Sequence, residues 1–207
     1  MKGIESEDEL RTHYRDPVDA VRRKAIDHID QGAREFLAAT TLAVVATFGP
    51  GGADNSPRGG PPGFLRVLDD RHLAWGDLSG NNRLDTYANL TTHPHVGMLC
   101  IVPGMEETLR VNGVARATAD VDVLEATAVD GRVPKVAVVV EARECYIHCA
   151  KALRRAGVWD PSSWPAVEDR PSPAAILVDH IGIDVDPALV EADLEAGYEA
   201  TLWEPGG

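Results

Sequence analysis

The succession of short β-branched runs, with almost no helix between them, limits the folds open to this chain more than any other feature. "LAVVATF" at 42–48 is apolar and is followed by the turn cluster "GPGGADN". "GFLRVLDDRHLAW" divides into two strands at the turn "DDR". "HVGMLCIV" at 95–102 is too continuously apolar for a surface strand. "TLRVNGVARAT" at 108–118 alternates, with Arg110, Asn112, Val114 and Arg116 on one face. "KVAVVVEARECYIHC" at 135–149 is the longest strand candidate. About six strands in hairpin order predict a mainly β, antiparallel barrel or sheet with peripheral helices, an α+β fold. A doubly wound parallel sheet would need helices alternating with the strands, and none alternate here.

Helices are expected at the two ends. "YRDPVDAVRRKAIDHIDQGAREFLAAT" reads as helix, with Asp16 as N-cap and Pro17 at the first helical position. Val18, Val21, Ala25, Ile26 and Ile29 recur at helical spacing, and Gly32 divides the run in two. "VDVLEATAV" and "AKALRRAG" predict short helices, and "DPALVEADLEAGYEATLW" an acidic, capped one. The proline-rich "GVWDPSSWPAVEDRPSP" sets Trp159 and Trp164 either over the chain's own barrel or against a partner subunit. The 207 residues fit one domain in three parts. These are a helical segment at 1–40 packed on the barrel, the barrel core at 41–150 and a helical extension at 151–207.

A formal net charge of −13 argues against nucleic acid as a partner, since most of the surface would repel a phosphate polyanion. No run approaches the roughly 18 apolar residues of a membrane span, and "MKGIESEDELRTHYRD" has no apolar run of signal-peptide type. The expectation is a cytoplasmic protein. Three cysteines, Cys100, Cys145 and Cys149, cannot all pair within one chain. In an extended strand Cys145 and Cys149 of "CYIHC" lie apart and His148 faces the other way, so buried free thiols are expected rather than a metal site.

Basic residues gather at strand ends. In "SGNNRLDTYANL" the glycine allows a turn, and Arg83 falls near the first turn of a helix, where free N–H groups and the dipole favour an anion. Asn81 and Asn82 can donate to the same ligand. The alternative is that an asparagine only caps the helix while Arg83 pairs with Asp85. "NSPRGGPPGF" at 55–64 carries Arg58 in what reads as a loop, where backbone can approach a ligand closely or the arginine can simply face solvent. Arg110 and Asn112 lie in an otherwise apolar strand, and a half-buried arginine there needs a counter-charge. Lys151, with Arg154 and Arg155, is a further basic spot or ordinary helix surface. The nucleophile elbow, the Walker loop, the Rossmann fingerprint and the helical zinc motif are all missing, so a reactive atom would come from a cofactor.

Four segments in this order, "SPRGGPPGFLRV", "GNNRLDTYANLTTHPHVGMLCIVPG", "ETLRVNGVARAT" and "YIHCAKALRRAGVWDP", resemble the pyridoxamine 5′-phosphate oxidase-related FMN-binding proteins over roughly residues 15–165. The resemblance implies a split β-barrel and a homodimer with FMN in each of two clefts between subunits. Carried over by position, it sets Arg58, Phe64 and Leu65 along the flavin and Asn82 and Arg83 at its phosphate. Thr108 and Arg110 fall at polar contacts often supplied by the partner, and Lys151 is a further addition. Gly60 departs from the pattern, where relatives often have Asp after "RG".

The implied activity is an oxidoreductase passing hydride or electrons between a reduced nicotinamide or similar donor and a small-molecule substrate. The alternatives are a flavin-binding protein without turnover and a reductase that uses the deazaflavin F420. "YEATLWEPGG" lacks the arginine and histidine with which true pyridoxamine phosphate oxidases grip substrate, so vitamin B6 oxidation is not expected.

Overall fold

The structure is a computed structural model and describes residues 3–206. Three helices precede the sheet: α1 (Glu7–Arg11), α2 (Asp19–Arg23) and α3 (Gln31–Ala39). The longer helix expected after Asp16 shrinks to α2, whose N-cap is Val18 with no side-chain bond. Tertiary pairing is the reason. Ile26 leaves helical geometry to exchange two backbone hydrogen bonds with Cys145, at 3.1 and 2.7 Å. Helix resumes only at α3, where Asp30 caps the first turn by accepting from the Ala33 N–H at 2.8 Å. Gly32 lies inside that turn and does not break it. Leu37 of α3 is fully buried against the sheet, and Leu37→Ala would lower unfolding free energy by roughly 2–5 kcal/mol in denaturant titration.

The strands are β1 (Leu42–Gly49), β2 (Gly52–Gly59), β3 (Arg66–Val67) and β4 (His72–Gly76), then helix α4 (Asp85–Thr92), then β5 (His95–Ile101) and β6 (Thr108–Thr118). Helix α5 (Val121–Ala126), strand β7 (Ala137–His148) and helices α6 (Lys151–Ala156), α7 (Pro173–Ile181) and α8 (Pro187–Thr201) complete the chain. The strands form one seven-stranded sheet in the order β2-β1-β5-β6-β7-β4-β3. Every pairing is antiparallel.

The strand beyond the expected six is β2, whose "GADNSPRG" reads as turn and loop. It pairs with β1 from Leu42↔Gly59 to Gly49↔Gly52 and has no other strand neighbour. That edge position tolerates Pro57, which has no N–H to offer a ladder.

Alternation decides what each strand buries. Ala43, Val45 and Thr47 of β1, Val96, Met98 and Cys100 of β5, and Leu109, Val111 and Ala115 of β6 face the core. Leu73 and Trp75 of β4 and Val138 and Val140 of β7 join them. The opposite face aligns Ala46, Gly97 and Asn112 in one row and Val44, Leu99 and Arg110 in the next. Leu42, Val44 and Phe48 stay exposed on that outer face.

The register of β6 against β7 shifts between Asn112↔Glu144 and Gly113↔Ala142, which makes Arg143 a bulge residue. Gly113 permits the close approach: a Cβ there would stand 2.0 Å from the Glu141 carbonyl oxygen. Bulged and twisted, the sheet curls until the edge strand β2 and the end of β4, past the reach of the short edge strand β3, line one cleft. The result is a split antiparallel barrel with a gap rather than a closed one. Among the described residues, no helix is long and apolar enough to cross a membrane.

Candidate functional site

Three pieces of chain meet at the split: β2, the end of β4, and the loop leading into α4. They enclose a cavity of about 520 Å³ lined by Asp54 to Arg58 and by Asp77 to Tyr87. An adjoining cavity of about 300 Å³ shares Pro57, Arg58, Asp77, Leu78 and Ser79 with it. Its own walls are Phe64, Trp75, Leu202 and Trp203. The two are a polar end and an aromatic end of one cleft.

The loop leading into α4 has an unusual backbone. Asn82 and Leu84 both take left-handed φ, 54° and 59°. Asparagine tolerates this, whereas leucine there is strained, a condition common where a ligand site over-determines the backbone. Asn81 Oδ1 accepts from the Arg83 N–H at 3.1 Å and stabilises the turn. Because Leu84 occupies the N-cap, no side chain caps α4. Its first-turn donors are left for another acceptor.

Arg58 projects from β2 and is half-buried. Nη2 donates to Thr86 Oγ1 at 3.0 Å, and Ser56 Oγ lies 3.0 Å from the same hydroxyl. The guanidinium stands 5.9 Å from the Tyr87 ring centroid, a cation–π contact. Arg58 pairs with no carboxylate among the described residues, and its buried Nε has no acceptor. Arg83 is 72% exposed and donates through Nε to Asp85 Oδ2 at 2.7 Å. The pairing with Asp85 weighed for Arg83 is therefore present. The two terminal nitrogens of that guanidinium carry no hydrogen bond among the described residues.

Tyr87 donates its hydroxyl to Asp77 Oδ1. Burial first, then this bond, push the Tyr87 hydroxyl well above the ordinary tyrosine range, so it stays protonated. It locks Asp77 in place and is no candidate base. Trp75 lines the same aromatic end as Arg58, and its buried indole N–H, like Arg58 Nε, has no acceptor among the described residues. Phe64 packs over Gly60, where a Cβ would stand 2.6 Å from Phe64 Cβ. Any side chain at position 60, aspartate included, would displace that ring.

The remaining sequence-derived candidates divide. Phe64 lines the aromatic end, while Leu65 beside it is buried in the core. Thr108, Arg110 and Lys151 line neither cavity. Thr108 is buried opposite His148 in the β6–β7 ladder, and Lys151 is exposed at the start of α6. Arg110 was expected to be half-buried against a counter-charge. It is exposed instead, with Nε 3.5 Å from Asn112 Oδ1 and the guanidinium 5.7 Å from the Tyr146 ring centroid. On the outer face water solvates it, and no carboxylate is required. "NSPRGGPPGF" is likewise corrected: Arg58 belongs to an edge strand, not a loop.

Trp159 donates to the Met105 carbonyl at 2.7 Å and Trp164 to the Val158 carbonyl at 3.1 Å, so both indoles bind within their own chain. Cys100 and Cys145 are buried free thiols, pushed up to about 12 and about 11 chiefly by desolvation. Cys149 is exposed, against the expectation of burial. Sequence reasoning missed Thr86, Tyr87, Asp77, Trp75, Leu202 and Trp203. Of these only Thr86 and Tyr87 had a signal, being one helical turn beyond Asn82 and Arg83.

An open antiparallel barrel with a polar cleft at its split is the architecture that the chain presents. The sequence model described as Pyridoxamine 5′-phosphate oxidase matches residues 29–149, more than half of the 207 residues, and the chain belongs to that family. The match spans β1 to β7 and leaves α6, α7, α8 and the segment after them outside. No curated protein sequence matches the chain.

Among solved structures, HupZ from Group A Streptococcus is 19% identical, with 57% of this chain and 93% of that chain covered and a TM-score of 0.48. A Clostridium acetobutylicum protein related to general stress protein 26 is 12% identical (56% and 85% covered, TM-score 0.44). An F420 reductase is 18% identical (58% and 98% covered, TM-score 0.39).

Proposed function

We propose that the cleft binds FMN and that the protein is an FMN-dependent oxidoreductase acting on a small molecule. The observation that carries this is Arg58, a half-buried cation on the cleft wall with no carboxylate partner among the described residues. An uncompensated guanidinium away from water is costly, and an anionic ligand in the cleft supplies the missing charge. Arg83, Asn82 and the uncapped start of α4 share the polar end, which suits a phosphate monoester. Phe64 and Trp75 at the other end suit a planar ring, and the unpartnered N–H groups of Trp75 and Arg58 suit acceptors on its edge. The donor set thus fits FMN end for end.

Asp54, Asp77 and Asp85 also line the cleft, so the longer acidic tail of F420 would meet three carboxylates against two arginines. That favours FMN. A bound flavin supplies reversible hydride and electron chemistry at its ring. The chain's own residues bind, orient and exclude water: Arg83 and α4 fix the phosphate, and Thr86 and Ser56 hold Arg58 toward the shared part of the cleft. With Tyr87 fixed as a donor to Asp77, no side chain here is assigned an acid or base role.

The homodimer belongs to this proposal. The outer face presents Leu42, Val44 and Phe48 to solvent, and the row of Val44 and Leu99 also carries Arg110. A partner covering this face would bury the apolar residues and receive Arg110 at its own cleft. Sedimentation should give twice the 22.2 kDa chain mass. The decisive experiment is titration with FMN and riboflavin, followed by mixing with NADH and NADPH. Arg83→Ala should weaken FMN by about 100-fold and leave riboflavin unchanged. Absence of flavin binding defeats the reading. Tight binding with no reduction by either donor converts it to a flavin-binding protein without turnover.

A further inference from the structure

The aromatic end of the cleft is walled partly by residues far outside the family match. Leu202 and Trp203 follow α8 and line the cavity of about 300 Å³ opposite Phe64 and Trp75. The segment they belong to is moored by main-chain bonds to the same stretch that ends β4. Ser79 N–H donates to the Glu204 carbonyl at 2.8 Å, Gly206 N–H donates to the Asp77 carbonyl at 3.2 Å, and Pro205 bridges Leu78. Glu204 also reaches Arg132, at 3.9 Å. The approach is close at Gly206, where a Cβ would stand 2.0 Å from Asp77 Oδ2. The other oxygen of that carboxylate is already held by Tyr87.

Two donors at this end lack acceptors among the described residues, the Trp75 indole N–H, on a residue only 1% exposed, and the Arg58 Nε. Buried polar groups without partners are rare and point to something that completes them. Trp203 is 38% exposed and Leu202 is 56% exposed, both high for large apolar residues with a cavity beside them. Aromatic walls, unpaired donors and a moored strap together describe a subsite for a planar heterocycle with acceptors along one edge.

The geometry points to Trp203 as a ligand-binding residue: the strap Leu202–Gly206 is the outer wall of the ring subsite, with Trp203 packed on the ring that the cleft receives. This rests on the flavin reading above and deepens it. Trp203 touches the ring alone, whereas Arg83 and α4 touch the phosphate alone. Loss of Trp203 therefore affects every ligand carrying the ring, with or without phosphate.

The test measures FMN and riboflavin dissociation constants on the full chain and on Trp203→Ala, Trp203→Phe and Arg83→Ala. In Trp203→Ala both ligands should weaken by the same factor, about tenfold, the scale of one lost aromatic stack. Trp203→Phe should stay within about threefold of the native chain, and melting temperatures should agree. Should Trp203→Ala unfold, Trp203→Leu fills the volume without an aromatic face and serves the same comparison.

Affinities within about twofold for both ligands in the alanine or leucine variant would overturn the strap assignment and leave the flavin reading standing. Loss confined to FMN would also overturn it, since Trp203 would then act at the phosphate end. A native chain that binds neither ligand would sink the flavin reading itself, a result separable from the other two.

Discussion

Arg58 and Arg110 come from strands of the same sheet, yet their surroundings differ in kind. Arg58 stands on β2 at the sheet margin, where the curl brings β4 and α4 against it, and becomes half-buried without a counter-ion. Arg110 stands on β6, in the middle of the sheet and on its outer face, beside Asn112 and Tyr146 and open to water. Tyr146 lies between two cations there, with Lys24 Nζ at 4.9 Å from its centroid. An arginine becomes a demand for a ligand only where the fold removes water and withholds a carboxylate. Position in the sheet, more than residue type, separates the cleft arginine from the one on the outer face.

The largest effect should come from removing the margin arginine. Arg58→Leu should weaken FMN by about 100-fold while the variant remains folded, because the change removes a half-buried cation that no carboxylate among the described residues balances. Equal loss from Arg110→Leu at low protein concentration would break the comparison. Thr86→Val should weaken FMN by about tenfold, since it frees Arg58 without removing charge, and Arg58→Lys should not restore what it loses. Arg110→Ala should weaken FMN by about threefold to tenfold, and only at concentrations where the chain is dimeric, as read by sedimentation alongside titration.

The smallest effect concerns the thiols near Arg110. Native protein at pH 8 should label one of its three cysteines, Cys149, and all three in denaturant. The folded Cys100 and Cys145 thiols are raised to about 12 and about 11, above their unfolded range. The stability this gives is complete below the unfolded thiol range and is lost as pH climbs through the folded values. Melting temperature should thus fall from pH 8 toward pH 11.

Much of this was legible before any coordinates. β1, β4, β5, β6 and β7 follow from apolar, β-branched runs, alternating in β6 and continuous where β4 and the start of β7 are buried on both faces. β2 was not legible, since glycine, asparagine and proline depress strand propensity and only an edge tolerates them. The helix expected through Ile29 failed because Ile26 gains more from pairing with Cys145 than from another helical turn. Arg58 and Arg83 could be singled out from local chemistry, whereas the missing counter-ion at Arg58 is a property of packing alone. Trp203 carried no local signal: Leu78 and Pro205 meet across most of the chain, and no periodicity reports such a contact.

The strap holds Asp77 to Ser79 through main-chain bonds and depends on Gly206 for its close approach, while the Trp203 side chain takes no part in those bonds. Residue 203 is consequently free to vary without loosening the anchorage or disturbing the barrel. Exchange at that single place would retune which heterocycles are admitted, leaving the phosphate grip untouched. Selectivity and scaffold can then evolve on separate clocks.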